Sequence, residues 1–161
     1  MMKLVRRWFP TIPITRLRDT AYSILELGLA CQEQQVSLVT PFHLDAVLHE
    51  PPPERDAHTM GRPRVVGPRL PSLEQILADP NTTWQPLTLE WYGQGERTLE
   101  ICTGTALWYR AGCAPLPIRW VLTRGPQGKR PPQSTVFDEP NAGRRGDRAH
   151  MYEPLESGND F

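Results

Sequence analysis

Residues 14–40 read ITRLRDTAYSILELGLACQEQQVSLVT, and they decide the fold class. Ile14, Arg16 and Arg18 alternate with Thr15 and Leu17, the two-residue period of a strand over 14–18. Asp19 or Thr20 then supplies an N-cap. Tyr22, Ile24, Leu25, Leu27, Leu29 and Ala30 follow at helical spacing, with Gly28 weakening the helix by about 1 kcal/mol relative to alanine. Residues 36–40 form a buried-type strand, and Pro41 limits its extension. A strand, helix and strand of this length predict a crossover joining two parallel strands. In such sheets ligands gather at the carboxyl ends of the strands. Asp19 lies at such an end, so it is the candidate position for chemistry; a helix cap is the plainer role for the same residue.

Upstream, residues 1–10 (MMKLVRRWFP) place Leu4, Val5, Trp8 and Phe9 at helical spacing, and Pro10 stops the helix. Arg6 and Arg7 on this helix are candidate phosphate contacts; a solvated helix face is the alternative. Downstream, residues 44–48 suggest a short helix or turn. His43, His49 and His58 follow no metal-ligand spacing. Residues 51–71 are rich in proline and read as an extended linker. Its GRPRVVGPR text carries Arg62, Arg64 and Arg69, which could lie along a DNA backbone.

Residues 72–78 (SLEQILA) form a capped helical turn, with Ser72 at the N-cap, Gln75 at the capping-box position and Asp79-Pro80 as the stop. The period then changes to two. Leu87, Leu89 and Trp91 alternate with Thr88, Glu90 and Tyr92. Strands follow over 98–103 and 105–109, broken at Gly104, and over 118–123, separated by glycine-rich turns. This is a hairpin-rich antiparallel unit. Trp84, Trp91, Trp108 and Trp120 are spaced to stack on bases or, more simply, to fill a core. From Gln133 onward the sequence loses its apolar period, and its composition predicts disorder.

Across the whole chain of 161 residues the net charge is zero, so no global attraction to nucleic acid is implied. Eighteen prolines, well above the roughly 5% average, cluster at three places and suggest breaks between small units. The expected units are 1–50, a partial α/β core; 51–82, a basic linker and short helix; 83–132, a β-rich insertion; and 133–161, a disordered tail. Three cysteines without metal spacing suggest free thiols in a reducing cytoplasm. No apolar run is long enough to span a membrane.

The text around Asp19, then V-T-x-x-x-L-D-A-x-L, GRPR, RLPSLEQILADP, WYGQGERTLEICTGTALWYRAG and PLPIRWVLTR, resembles the DDE transposases of bacterial insertion sequences. The resemblance covers most of residues 3–133. It implies a partial RNase H-like catalytic core interrupted by a β-rich insertion. Such enzymes hold two divalent ions with three carboxylates for DNA cleavage and strand transfer. Mg2+ suits them. Asp19 matches the second carboxylate and Tyr22 the aromatic after it. The first carboxylate would lie upstream of Met1; the third, in an R-W-x-x-E-x-T-F helix, would lie downstream. Neither motif occurs in these residues. Where the family usually shows V-T-R-L-R, this chain has Val39-Thr40-Pro41-Phe42-His43, so the arginines that the resemblance would offer for DNA contact there are absent. Codons shifted forward by one nucleotide permit Ala-Leu-Phe-Ser-Thr-Asn at 134–140 and Arg-Trp-Ser-Leu-Glu-Met-Thr-Phe at 154–161. A frameshift near Gln133 is therefore expected. The sequence suggests a transposase remnant without catalysis of its own, with DNA (the element ends) and full-length transposase as implied partners. The alternative is a non-catalytic DNA-binding or regulatory fragment.

Overall fold

The computed structural model describes residues 2–18, 24–54, 58, 60–90, 95–126 and 132–138. In chain order these form α1 (Met2–Trp8), β1 (Ile14–Leu17), α2 (Leu25–Glu33), β2 (Val36–Pro41), β3 (Leu48–His49), α3 (Leu73–Ala78), β4 (Gln85–Glu90), β5 (Glu96–Trp108), β6 (Leu116–Arg124) and β7 (Gln133–Asp138). The architecture is mixed α/β and mostly sheet. The strand order is β1-β2-β7-β6-β5-β3, with β4 also paired to β5.

The expected strand–helix–strand unit is formed. β1 and β2 are parallel, with Ile14 opposite Val36 and Leu17 opposite Val39, and α2 lies between them in the chain. Every other strand pair in the sheet is antiparallel. Hairpins β4–β5 and β5–β6 supply the antiparallel text expected after residue 83.

Alternation selects the buried face. Val36, Leu38 and Thr40 of β2 point inward, as do Leu116, Ile118, Trp120 and Leu122 of β6, and Ser134 and Val136 of β7. Leu25, Gly28 and Cys31, three residues apart, form the face that α2 lays on this surface. Leu48, Leu73, Leu116 and Leu122 are fully buried, each contributing about 1.5–3 kcal/mol of transfer free energy. Gly28 is the contact point of helix and sheet: a Cβ there would lie 2.3 Å from Leu116 Cδ2. The residue that weakens α2 locally is the one that lets it approach.

Several expectations need correction. Residues 1–50, 83–132 and 133–138 do not stand apart as small units, because one sheet takes strands from all three stretches. Residues 133–138 are not tail. They form β7, inserted between β2 and β6, with Val39 opposite Phe137 and Trp120 opposite Val136. The segment is short and polar, but each neighbour supplies a full ladder of backbone partners, and Ser134 and Val136 fill the inner face. β5 is not broken at Gly104; it runs 13 residues without interruption. The glycine is there because Trp120, directly opposite, covers it. The described part of α2 starts at Leu25, not near Asp19. Ile24 is its extended N-cap (φ −121°, ψ 138°), with no side-chain cap bond. The linker also turns back on itself. Gly67 N donates to Glu50 O (2.8 Å), Glu50 N to Pro68 O (2.9 Å) and Leu70 N to Leu48 O (2.9 Å), so the base of this loop is fastened to β3.

The capping box is as expected: Ser72 N donates to Gln75 Oε1 (2.9 Å) and Gln75 N to Ser72 Oγ (3.2 Å). None of the helices formed by the described residues is long and apolar enough to cross a membrane.

Candidate functional site

Parallel pairing sends β1 and β2 to the same end of the sheet. Their register continues to Arg18, whose N–H donates to Val39 O at 3.0 Å. Asp19 is the next residue and lies outside the described residues, as do Thr20 and Tyr22. β7 runs antiparallel to β2, so it starts at this end. Phe42 N donates to Ser134 O (3.0 Å), and Ser134 Oγ donates to Phe42 O. These two bonds fix where the chain leaves β2.

Beyond that end is an open cleft of about 660 Å³ lined by His43, Asp45, Glu74, Gln133 and Thr135, among others. Three elements position these side chains: the turn after β2, the first turn of α3 and the start of β7. Glu74 N donates to Leu44 O (3.1 Å), which docks α3 on the turn. Sequence reading missed this cleft, because its residues are far apart in the chain and follow no motif. Among the described residues, no three His, Cys, Asp or Glu side chains converge as a metal-ligand set.

The five arginines taken as DNA contacts do not form one patch. Arg6 is held by backbone carbonyls. Its Nε donates to Gln34 O (2.9 Å), Nη1 to Ile12 O (2.9 Å) and Phe9 O (3.1 Å), and Nη2 to Gln35 O. Gln34 and Gln35 close the C-terminal end of α2, and Gln35 sits at φ 54°. Arg6 is therefore a cation placed on a helix C-terminus, where orphan carbonyls and the dipole favour it. Arg7 is exposed on α1. Arg62, Arg64 and Arg69 are exposed too, and Arg69 bridges to His49 beside β3. α1 docks by Arg6 next to β1 and β2, whereas β3 is at the far side of the sheet. Arg6 and Arg69 thus lie toward opposite edges of the sheet.

Of the four tryptophans taken as stacking candidates, the three in the described residues serve packing; Trp8, on α1, is 63% exposed. Trp120 is buried, Trp108 meets Phe42 edge-on at 4.9 Å, and the Trp84 ring lies under the Arg124 guanidinium, 3.9 Å from its centroid. Arg124 Nε is 2.6 Å from Glu100 Oε2 on the facing strand. Trp91 lies outside the described residues. None of the three described rings is presented as an open stacking platform. Cys31 is buried and Cys102 and Cys113 are half-buried, all as free thiols. Burial pushes the Cys102 thiol above its ordinary pKa.

No protein-family model, no curated protein and no solved structure matches the chain.

Proposed function

We propose that this chain is part of an insertion-sequence transposase and does not cleave DNA by itself. The observation that carries the reading is the parallel β1–α2–β2 unit, with Asp19 two positions past the last residue of β1 in the sequence. The long WYGQGERTLEICTGTALWYRAG text adds to it, and its middle thirteen residues, Glu96–Trp108, form one long antiparallel strand. Mg2+ would need more than Asp19. A two-ion centre takes several carboxylate oxygens, and the described residues bring no such set to one place. These residues alone do not fit the metal centre, so no step of phosphodiester chemistry is assigned to them. The reading includes a change of frame near Gln133. β7 is then built from shifted-frame residues whose alternation, Ser134 and Val136 inward, still serves the sheet.

The test is incubation of the purified chain with Mg2+ or Mn2+ and supercoiled DNA carrying the sequences that flank its gene. No nicking is expected. Nicking that disappears in Asp19→Ala would overturn the reading.

A second reading is a non-catalytic DNA-binding fragment that competes with or joins full-length transposase. The exposure of Arg7, Arg62, Arg64 and Arg69 favours it. It requires an affinity for duplex DNA that falls steeply with salt; no binding at low salt would remove it.

A further inference from the structure

We infer that the free edge of β1 is a docking site for an extended acidic peptide segment, added as a further strand to the sheet. The inference stands whether or not the chain derives from a transposase. Among the described residues β1 pairs with β2 alone and ends the sheet. An edge without a partner offers a row of backbone donors and acceptors to any chain that can lie along it.

Side chains shape the same place. A groove of about 320 Å³ wraps the edge, lined by Ile14, Arg16 and Arg18 from one face of β1 and Thr15 and Leu17 from the other, with Val5 of α1 as a wall. Leu17 is 75% exposed, a large apolar side chain on an edge strand that the described residues leave largely uncovered. Alternate residues of an added strand would meet Leu17 on one face and Ile14 on the other.

Charge selects the occupant. Residues 2–18 contain Lys3, Arg6, Arg7, Arg16 and Arg18 and no acid. A second copy of β1 laid against the first would bring the arginines of both strands together, and like charges on neighbouring strands destabilise the pair. An acidic strand gains what that pairing loses. Its partner therefore carries Asp or Glu at alternate positions, with β-branched residues between them.

The test uses a capped, fluorescein-labelled Glu-Val-Glu-Ile-Glu-Val peptide, its Lys counterpart, and the acidic peptide N-methylated at alternate residues. Binding to the full chain is read by fluorescence anisotropy. The acidic peptide should bind, the Lys peptide about tenfold or more weaker, and N-methylation should remove binding because it blocks ladder hydrogen bonds. Arg16→Glu should reverse the charge preference. Equal binding of the N-methylated peptide would overturn strand addition, as would equal binding of the Lys peptide or no binding at all. Displacement of the acidic peptide by duplex DNA, together with indifference to N-methylation, would assign the groove to nucleic acid instead. A dimer dispersed by Leu17→Lys in sedimentation would assign it to a second copy. The N-methylation comparison uses the unaltered protein, so it stands even where a variant fails to fold.

Discussion

Replacing Gly104 by alanine tests the centre of the fold. In a strand, alanine is ordinarily better than glycine by about 0.5–1 kcal/mol, because it loses less backbone entropy on folding. Here a Cβ would meet three atoms of one rigid ring: Trp120 Cζ2 at 2.5 Å, Cε2 at 2.9 Å and Nε1 at 3.2 Å. Carbon atoms rest at about 3.5–4.0 Å, so the closest overlap is roughly 1 Å. The indole cannot bend away, and Trp120 is itself packed in the core with Leu122, Ile118 and Val136. Overpacking of this kind costs about 1–3 kcal/mol. The net expectation for Gly104→Ala is a loss of about 0.5–2 kcal/mol. At roughly 2–4 °C per kcal/mol for a chain of this size, Tm falls by a few degrees.

Far-UV circular dichroism is the right probe, since Trp120 would bias fluorescence. Two controls make the result decisive. Gly125→Ala has nothing within 4 Å of its new Cβ and should leave Tm unchanged or slightly raised. In a Trp120→Leu background, itself destabilised, Gly104→Ala should turn neutral or stabilising, because the ring it strikes is gone. That reversal of sign is the diagnostic. If Gly104→Ala is as stable as the parent in the unaltered background, the indole does not cover Gly104. β5 would then be two strands with a break, as its sequence suggests.

Other predictions follow from single contacts. Arg6→Ala should cost about 1–2 kcal/mol, since it leaves the carbonyls of Gln34 and Ile12 without their donor; Arg7→Ala should leave Tm unchanged, and equal effects in thermal melts would refute the division of roles. Ser72→Ala should destabilise by about 1 kcal/mol and speed amide exchange of Gln75, whose N–H it caps. A chain ended at Pro132 lacks the strand that joins β2 to β6 and should show no cooperative melt, whereas one ended at Glu139 retains it. Burial raises the Cys102 pKa, so the folded chain holds its proton more tightly than the unfolded one. That contribution to stability is fully present below the unfolded thiol pKa and is lost as pH rises through the folded value; alkylation of Cys102 at mildly alkaline pH should be slower than that of the same residue in urea.

Local signals carried far in the sequence. The alternation of β2, the period change before β4, the proline stop after α1 and the Ser72–Gln75 box all depend on neighbours a few residues away, and all are formed. What escaped the sequence depends on partners far along the chain. QSTVFD has a strand's alternation but sits in polar, charge-rich text, and only β2 and β6 make it a strand. Arg6 looks like a surface cation until the end of α2, 28 residues on, is folded beneath it. Gly28 and Gly104 read as weak points in a helix and a strand, yet each admits a large side chain from β6. Prolines end elements without dividing the chain, because backbone bonds across strands are indifferent to a break in the loop between them. For the site itself, the sequence picks out Asp19 by its place after β1 but gives no hint of the cleft formed by His43, Asp45 and Glu74.

The asymmetry of the sheet bears on what the chain does. On one side β5 is finished by β3 and β4, two short stretches from elsewhere in the chain. On the other side the sheet stops at β1. Any strand added there lies beside the segment that leads into Asp19, at the sheet end where β2 terminates and β7 begins. An acidic segment adds carboxylates; a basic or neutral one does not. The silence expected of the isolated chain and the acid preference proposed for its edge are therefore linked, and they can be separated. Peptide binding without nicking would leave the chain an adaptor for an extended segment. Nicking that appears only with the acidic peptide and is lost in Asp19→Ala would show a site completed from outside.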